Sequence, residues 1–309
     1  MDKPSSFVVQ RPLEKRGFAL IITLSVLTVI IALTGVLIGY LDIARRDANK
    51  TEAVLQANLY FADIKDILGG FKDKKTLYTT LYLTPVPLQS KDGRFSLFLK
   101  CRPLTNGVNI NWLAYANDPL MEAQYNAAEK VFETLMQEYD VADPSLLGEM
   151  LYEEIMQGRS ENSDGKSRLV QKNGIISYQQ FERILSRYQF EADDQNIGKI
   201  PWKRYFVFNA VSKDPEENKM VGDYLSVELI SVLFDIDRAT LDEEWSEGEG
   251  ALKKLLSAYG VAYDKKLFAF KFVDQSYCNV TYAFNEKQFE FSFIDKEGEV
   301  KDFEFYGEQ

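Results

Sequence analysis

From Phe18 to Leu41 the chain runs for 24 residues without a charged side chain (FALIITLSVLTVIIALTGVLIGYL). At about 1.5 Å per helical residue that run spans roughly 36 Å, enough to cross the hydrocarbon core of a bilayer. The pattern does not stop at Leu41. Leu41, Ala44, Ala48, Leu55, Leu59 and Ala62 keep to one helical face, with Asp42, Arg45, Arg46, Asp47, Lys50, Glu52 and Asp63 between them. No proline interrupts 18–68, and Gly69-Gly70 supplies a stop. The spacing predicts one helix over 18–68, apolar all round in its first half and amphipathic in its second. Gly35 and Gly39 form a small-xxx-small pair, which either lets helices approach closely or is merely tolerated in a membrane helix.

Beyond the helix the residues Thr76–Leu83 and Arg94–Cys101 read as short strands, separated by Pro85, Pro87 and a Lys91-Asp92-Gly93 turn. From Met121 the apolar period becomes helical, with Tyr125, Ala128, Phe132, Leu135 and Tyr139 on one face. Further helices are expected over 144–156, 177–190, 227–235 and 250–259, with a polar loop at 158–165. The tail returns to strands at 267–273, 277–284, 288–294 and 299–305, with Asn285-Glu286 and Lys296-Glu297-Gly298 as turns. Phe289, Phe291 and Phe293 alternate with polar neighbours, the mark of a half-buried antiparallel strand. A strand pair standing alone is marginally stable, so the two β pieces are expected to share one sheet with the helical block inserted into it. The fold class is α+β. The expected divisions are a leader over 1–17, the helix over 18–68, a first β part over 69–108, an inserted α domain over 109–260 and closing strands over 261–309.

Charge and composition narrow the function. The chain has 36 Lys and Arg against 47 Asp and Glu, a net −11, and no histidine. The acidic balance speaks against nucleic-acid binding, which needs cations in excess to neutralise phosphate. Without histidine, Ser-His-Asp and Cys-His catalysis and His-ligated zinc or haem are excluded. There is no Gly-rich phosphate loop either, so the chain is read as non-enzymatic. Residues 1–17 carry Lys3, Arg11, Lys15 and Arg16 against Asp2 and Glu14, a balance of +2, which leaves −13 for residues 42–309. Basic residues directly before an apolar span place the N-terminus in the cytoplasm and the acidic bulk across the membrane. In a bacterium this means a single pass through the inner membrane with a periplasmic domain.

The junction Lys15-Arg16-Gly17-Phe18 resembles the leader junction of type IV pilins and pseudopilins, in which a prepilin peptidase cuts after the glycine and methylates the new amino terminus. The resemblance implies cleavage between Gly17 and Phe18 and a pilin-like fold, a long helix followed by an antiparallel sheet. Counting from Phe18, the fifth residue is Ile22, where most of that family carries Glu. The K-type minor pseudopilin of type II secretion is the member known for lacking this Glu and for a large α domain interrupting its sheet. Gly107-Val-Asn109-Ile-Asn111-Trp112-Leu113 stands where that family has a Gly-x-Asn-x-Asn stretch. Asp223–Phe234 occupies the place of a second Asn-rich motif but lacks its asparagines.

The resemblance implies a minor pseudopilin at the tip of a short pseudopilus, initiating its assembly for protein export. Its partners would be other minor pseudopilins, the inner-membrane assembly platform and the prepilin peptidase, with a secreted protein as a further candidate. Two alternatives stand beside it. One is a minor pilin of a type IV pilus or DNA-uptake system, and the other a signal-anchored periplasmic binding or sensor protein. Ca²⁺ is known in the α domain of K-type pseudopilins. The oxygen-rich segments that offer ligands here are Asp193, Asp194 and Asn196, and Asp235 and Asp237, though neither follows the EF-hand spacing. Cys101 and Cys278 flank the helical block, and two readings stand for them, a disulfide tying its ends or two free buried thiols.

Overall fold

The computed structural model describes residues 14–89, 96–157, 174–284 and 287–308, with only the backbone course at 14–19 and 307–308. The expected turns at 91–93 and 285–286, the polar loop at 158–165 and the leader before Glu14 lie outside the described residues. The chain divides into two compact units, one up to Tyr60 and one from Phe61 onward. The first unit is the body of helix α1 (Glu14–Gly70). It contains one stretch long and apolar enough to cross a membrane, and that stretch is unburied in the protein. α1 ends at Gly70, where the glycine pair was expected to stop it.

The second unit holds the end of α1, a five-stranded sheet and a block of helices. The sheet consists of β1 (Val86–Gln89), β2 (Ser96–Pro103), β5 (Gln275–Phe284), β6 (Lys287–Lys296) and β7 (Glu299–Glu308), in the order β1-β2-β5-β6-β7, every pair antiparallel. β2 and β5 are neighbours in space although everything from Leu104 to Asp274 lies between them, so the helical block is an insertion into the sheet. In β2 exposed and buried residues alternate without a break. In β6, Phe289, Phe291 and Phe293 are buried as their alternation requires. Each contributes about 2–3 kcal/mol of apolar burial. Phe61, on the last turns of α1, sets its ring 5.6 Å from that of Phe293 and 5.1 Å from that of Phe303. The β6–β7 turn has positive φ at both Glu297 and Gly298, the left-handed pair that a two-residue hairpin demands.

Two expected strands are corrected. Thr76–Leu83 is helical and belongs to α2 (Lys74–Leu83). Its Thr and Tyr content favours strand, but Tyr78, Leu81 and Tyr82 are the buried residues, a spacing of three and one that only a helix produces. Asp73 caps the helix, accepting from the Thr76 N–H at 3.1 Å and the Thr76 hydroxyl at 2.7 Å. Burial of one helical face overrides the intrinsic β preference. Leu267–Val273 forms no strand either. It makes one isolated bridge, Phe268 to Met220, and its partner then turns away into a 3-10 turn at Gly222–Tyr224. Leu267 and Phe268 instead join the core of the insertion.

The insertion comprises α3 (Glu122–Glu138), α4 (Pro144–Gln157), α5 (Tyr178–Ala192), α6 (Val227–Phe234), α7 (Arg238–Glu244) and α8 (Ala251–Ala258), with a two-residue parallel pair, β3 (Val108–Asn109) and β4 (Phe206–Val207). Its core runs from Val108 to Phe268 and includes Trp112, Phe181, Tyr188, Trp202 and Phe206. α7 was not expected from the pattern.

Candidate functional site

Gly17 and Phe18 lie within α1. Ile22, the residue in the place of the usual Glu, is 47% exposed in an apolar surround of exposed Leu20, Ile21 and Leu24. Where the helix turns amphipathic, Arg46 pairs with Asp42 at 3.0 Å across one turn. The uncharged stretch 18–41 before it can insert into lipid or meet other apolar helices, with no charge that would need a partner there.

At the start of the insertion, Asn109 and Asn111 are buried and held in one network. The Asn109 side-chain oxygen accepts from both the backbone N–H and the side-chain amide of Asn111, each at 3.0 Å. The Asn111 amide also donates to the carbonyls of Ile175 (2.8 Å) and Asn209 (2.9 Å), and its oxygen accepts from the Ile175 N–H at 2.7 Å. The Asn109 amide donates to the Asn209 carbonyl at 2.8 Å, and the Asn209 amide to the Leu104 carbonyl at 2.8 Å. Three asparagines thus tie β3, the chain after β4 and the approach to α5 to the end of β2. The glycines beside them are there for space. A Cβ on Gly107 would press on the Tyr205 carbonyl and on Val207, both at 3.1 Å, and one on Gly174 (φ +89°) would run into the Asn111 side chain.

Sequence reasoning singled out Asn109 and Asn111 but assigned them no third partner. The structure supplies one in Asn209, an isolated asparagine in the apolar run Phe206-Val-Phe-Asn-Ala-Val211. A lone amide in such a run is the available signal, because a buried amide needs partners. Asn218 closes a neighbouring loop, exchanging hydrogen bonds at 2.8 Å with the backbone of Ser212.

Beside the point where the insertion returns to the sheet, α2 meets β6 through charged groups. Asp295 on β6 is fully buried and accepts from the Tyr78 hydroxyl and from Lys74 Nζ at 3.3 Å, both on α2. Tyr82, one turn on, shares a hydrogen bond of 2.5 Å with Ser276, the register partner of Asp295. Burial, and then the bond to Asp295, pushes the Tyr78 phenol far up, so it stays a neutral donor. Asp274 sits beside this group, and burial first, then the charge of Asp295, raises its carboxyl above the ordinary range. One oxygen of Asp274 and one of Asp295 have no hydrogen-bond partner among the described residues. Farther along, Lys296 reaches Glu217 at 2.7 Å and holds that carboxyl below its usual value.

Cys101 and Cys278 are directly opposed in β2 and β5, with Cα atoms 4.0 Å apart, and are joined in a disulfide. They stand on the two strands that bracket the insertion.

Each oxygen-rich segment is engaged by the protein itself. Asp194 is buried and accepts from the backbone of Ala142 (3.0 Å) and Asn196 (2.8 Å). Asn196 donates to the Asp140 carbonyl and accepts from Lys199. Asp193 and Asp235 are left-handed residues ending α5 and α6, and Asp235 pairs with Lys130 at 2.7 Å. Asp237 caps α7 through Thr240, at 3.0 Å to both its N–H and its hydroxyl, bonds that hold its carboxyl low. Among the described residues no group of three or more acidic or Cys side chains is placed to hold a metal ion.

No family model matches the chain, and no curated protein sequence does. Its structure does have a match. One chain of the GspK–GspI–GspJ complex from the enterotoxigenic Escherichia coli type 2 secretion system superposes with a TM-score of 0.50, over 83% of this chain and 98% of that one. The chain has a pilin-like fold. At 13% identity the likeness is one of fold, and it extends through the inserted helices, since the pilin-like stem and sheet alone are too short to account for that coverage.

Proposed function

We propose that this protein is a minor pseudopilin, a non-enzymatic subunit of a type II secretion pseudopilus that works by assembly. The observation that carries the reading is the pilin-like sheet interrupted between β2 and β5 by a helical domain, behind a long apolar helix. The leader 1–17 stays in the cytoplasm until a prepilin peptidase cuts at Gly17–Phe18, and the domain beyond the span lies in the periplasm. Ile22 then bears on position. A subunit with a neighbour above it benefits from a carboxylate answering that neighbour's charged amino terminus, since an unpaired charge in an apolar setting is costly. A subunit at the tip has no such neighbour, and Ile22 suits that place. The inserted domain adds bulk that suits the tip as well, and from there the subunit initiates the filament.

The neighbour in fold comes from a three-protein complex, so the expected partners are other minor pseudopilins, with the inner-membrane assembly platform below. Co-expression with two candidate minor pseudopilins from the same genome tests this. A ternary complex that survives size-exclusion chromatography is the expected result. Failure to associate with any minor pseudopilin of that genome, with those proteins assembling among themselves, would overturn it.

A further inference from the structure

Late in the chain the acid excess reverses locally. Residues 251–273 hold Lys253, Lys254, Lys265, Lys266 and Lys271 against a single acid, Asp264, a balance of +4 in a chain of net −11. Lys74, Lys75, Lys130, Lys219, Lys296 and Lys301 form ion pairs. Among the described residues none of the five in 251–273 does.

Two of these lysines approach Phe270, which is 66% exposed. Lys253 Nζ on α8 lies 5.7 Å from the ring centroid and Lys265 Nζ 5.9 Å. A ring face attracts a cation, but two ammonium groups on one exposed ring repel each other and are left without a counter-charge. Phe270 stands on the rim of a cleft of about 370 Å³ lined by Lys75, Tyr82, Tyr224, Lys271 and Phe272. Cations outside and aromatic walls inside make a site for a segment that brings carboxylates and an apolar side chain together. The carboxylates in the lining are already engaged, Glu249 by Lys75 at 2.6 Å and Asp223 by the backbone N–H groups of Gly250 and Leu252, and a cleft of this size admits a narrow strand of chain where a flat lipid surface cannot enter.

We propose that this cleft docks an acidic segment of a second protein, its carboxylates on Lys253 and Lys265 and an aromatic or aliphatic side chain against Phe270. The proposal rests on charge and exposure within the second unit and holds whether or not the chain assembles as a pseudopilin.

The test uses the full chain in detergent and a fluorescent peptide of glutamates around one phenylalanine, with the same peptide carrying glutamine as control. Fluorescence anisotropy is expected to show the acidic peptide bound and the glutamine peptide not, with affinity falling as salt screens the charges. Lys253→Glu with Lys265→Glu should weaken binding about tenfold, and Phe270→Ala about threefold. Equal binding of both peptides, or a charge-reversed variant that binds like the parent, would overturn the proposal. So would binding of phosphatidylglycerol vesicles without binding of the peptide, which would assign the lysines to a membrane. Concentration-dependent self-association abolished by the charge reversal would give the cleft to a second copy and overturn it too.

Discussion

Where the inserted block leaves the sheet it is held by the amides of Asn109, Asn111 and Asn209, and beside the point where it returns α2 is fastened to β6 by Lys74, Tyr78 and Asp295, with Asp274 at the block's end next to them. Both joints are buried and both bridge segments far apart in sequence. They differ in what their groups can lose. The amides do not titrate, and the Asn111 side chain has a partner for each hydrogen and for its oxygen. The second joint concentrates negative charge, and one oxygen each of Asp274 and Asp295 goes unpartnered among the described residues. A neutral, fully paired network stabilises at any pH, whereas a buried carboxylate group stabilises only to the extent that its charges are answered. The first joint should therefore set how firmly the block is attached, and the second how the stability of the whole second unit depends on solution conditions.

The largest effect is expected from breaking the neutral joint. Asn111→Leu strands both the N–H and the carbonyl of Ile175, while the Asn109 oxygen keeps the backbone N–H of residue 111 and the Asn209 carbonyl keeps the Asn109 amide, and should cost about 3 kcal/mol. Urea denaturation checks it, and a loss below about 1 kcal/mol would mean the network is not what fastens the insertion. Next comes the disulfide between the two joints. Cys101→Ser with Cys278→Ser, or reduction of the parent, should cost about 2–4 kcal/mol, because the crosslink closes a loop of 177 residues in the unfolded chain.

The smallest effect separates the joints by pH. Asp274 has a folded pKa raised above its unfolded value of 3.8. Its contribution is therefore fully present below pH 3.8 and is lost as pH rises through the raised value. Asp274→Asn should remove that decline and gain less than about 1 kcal/mol at neutral pH, part of the charge being screened by solvent. Denaturation midpoints of parent and variant across a pH series should converge in acid and separate above it. Asn111→Leu should shift the whole series down without changing its slope. A parent and Asp274→Asn pair with parallel curves would remove the second joint's role.

Much of this was legible in the sequence, and the failures share a cause. The long helix, five of the inserted helices and the Phe289–Phe291–Phe293 strand could be read because each carries a sustained period over many residues. Thr76–Leu83 was misread because its Thr and Tyr content favours strand, while the helical spacing of Tyr78, Leu81 and Tyr82 shows only in what they bury. Leu267–Val273 looked like a strand because it is apolar at every position but Lys271, and such a run reads alike in a sheet or in the core of a helical block. α7 was hidden because its cap, Asp237, read as an oxygen ligand. A side chain that caps a helix and one that binds a cation present the same carboxylate to the reader of a sequence. The asparagine joint was half legible. Asn109 and Asn111 lie close together, but Asn209 comes from 98 residues beyond Asn111, and only the parallel pairing of β3 with β4 brings it there.

The central claim is that this chain is processed and assembled as a pilin-like subunit, and the mature N-terminus tests it most directly. Mass spectrometry of membrane-purified protein, made with and without a prepilin peptidase, should show a peptidase-dependent chain beginning at N-methylated Phe18. An intact Met1, in cells where the peptidase processes a known substrate, would contradict the account and leave a stalked, membrane-anchored protein with a pilin-like fold.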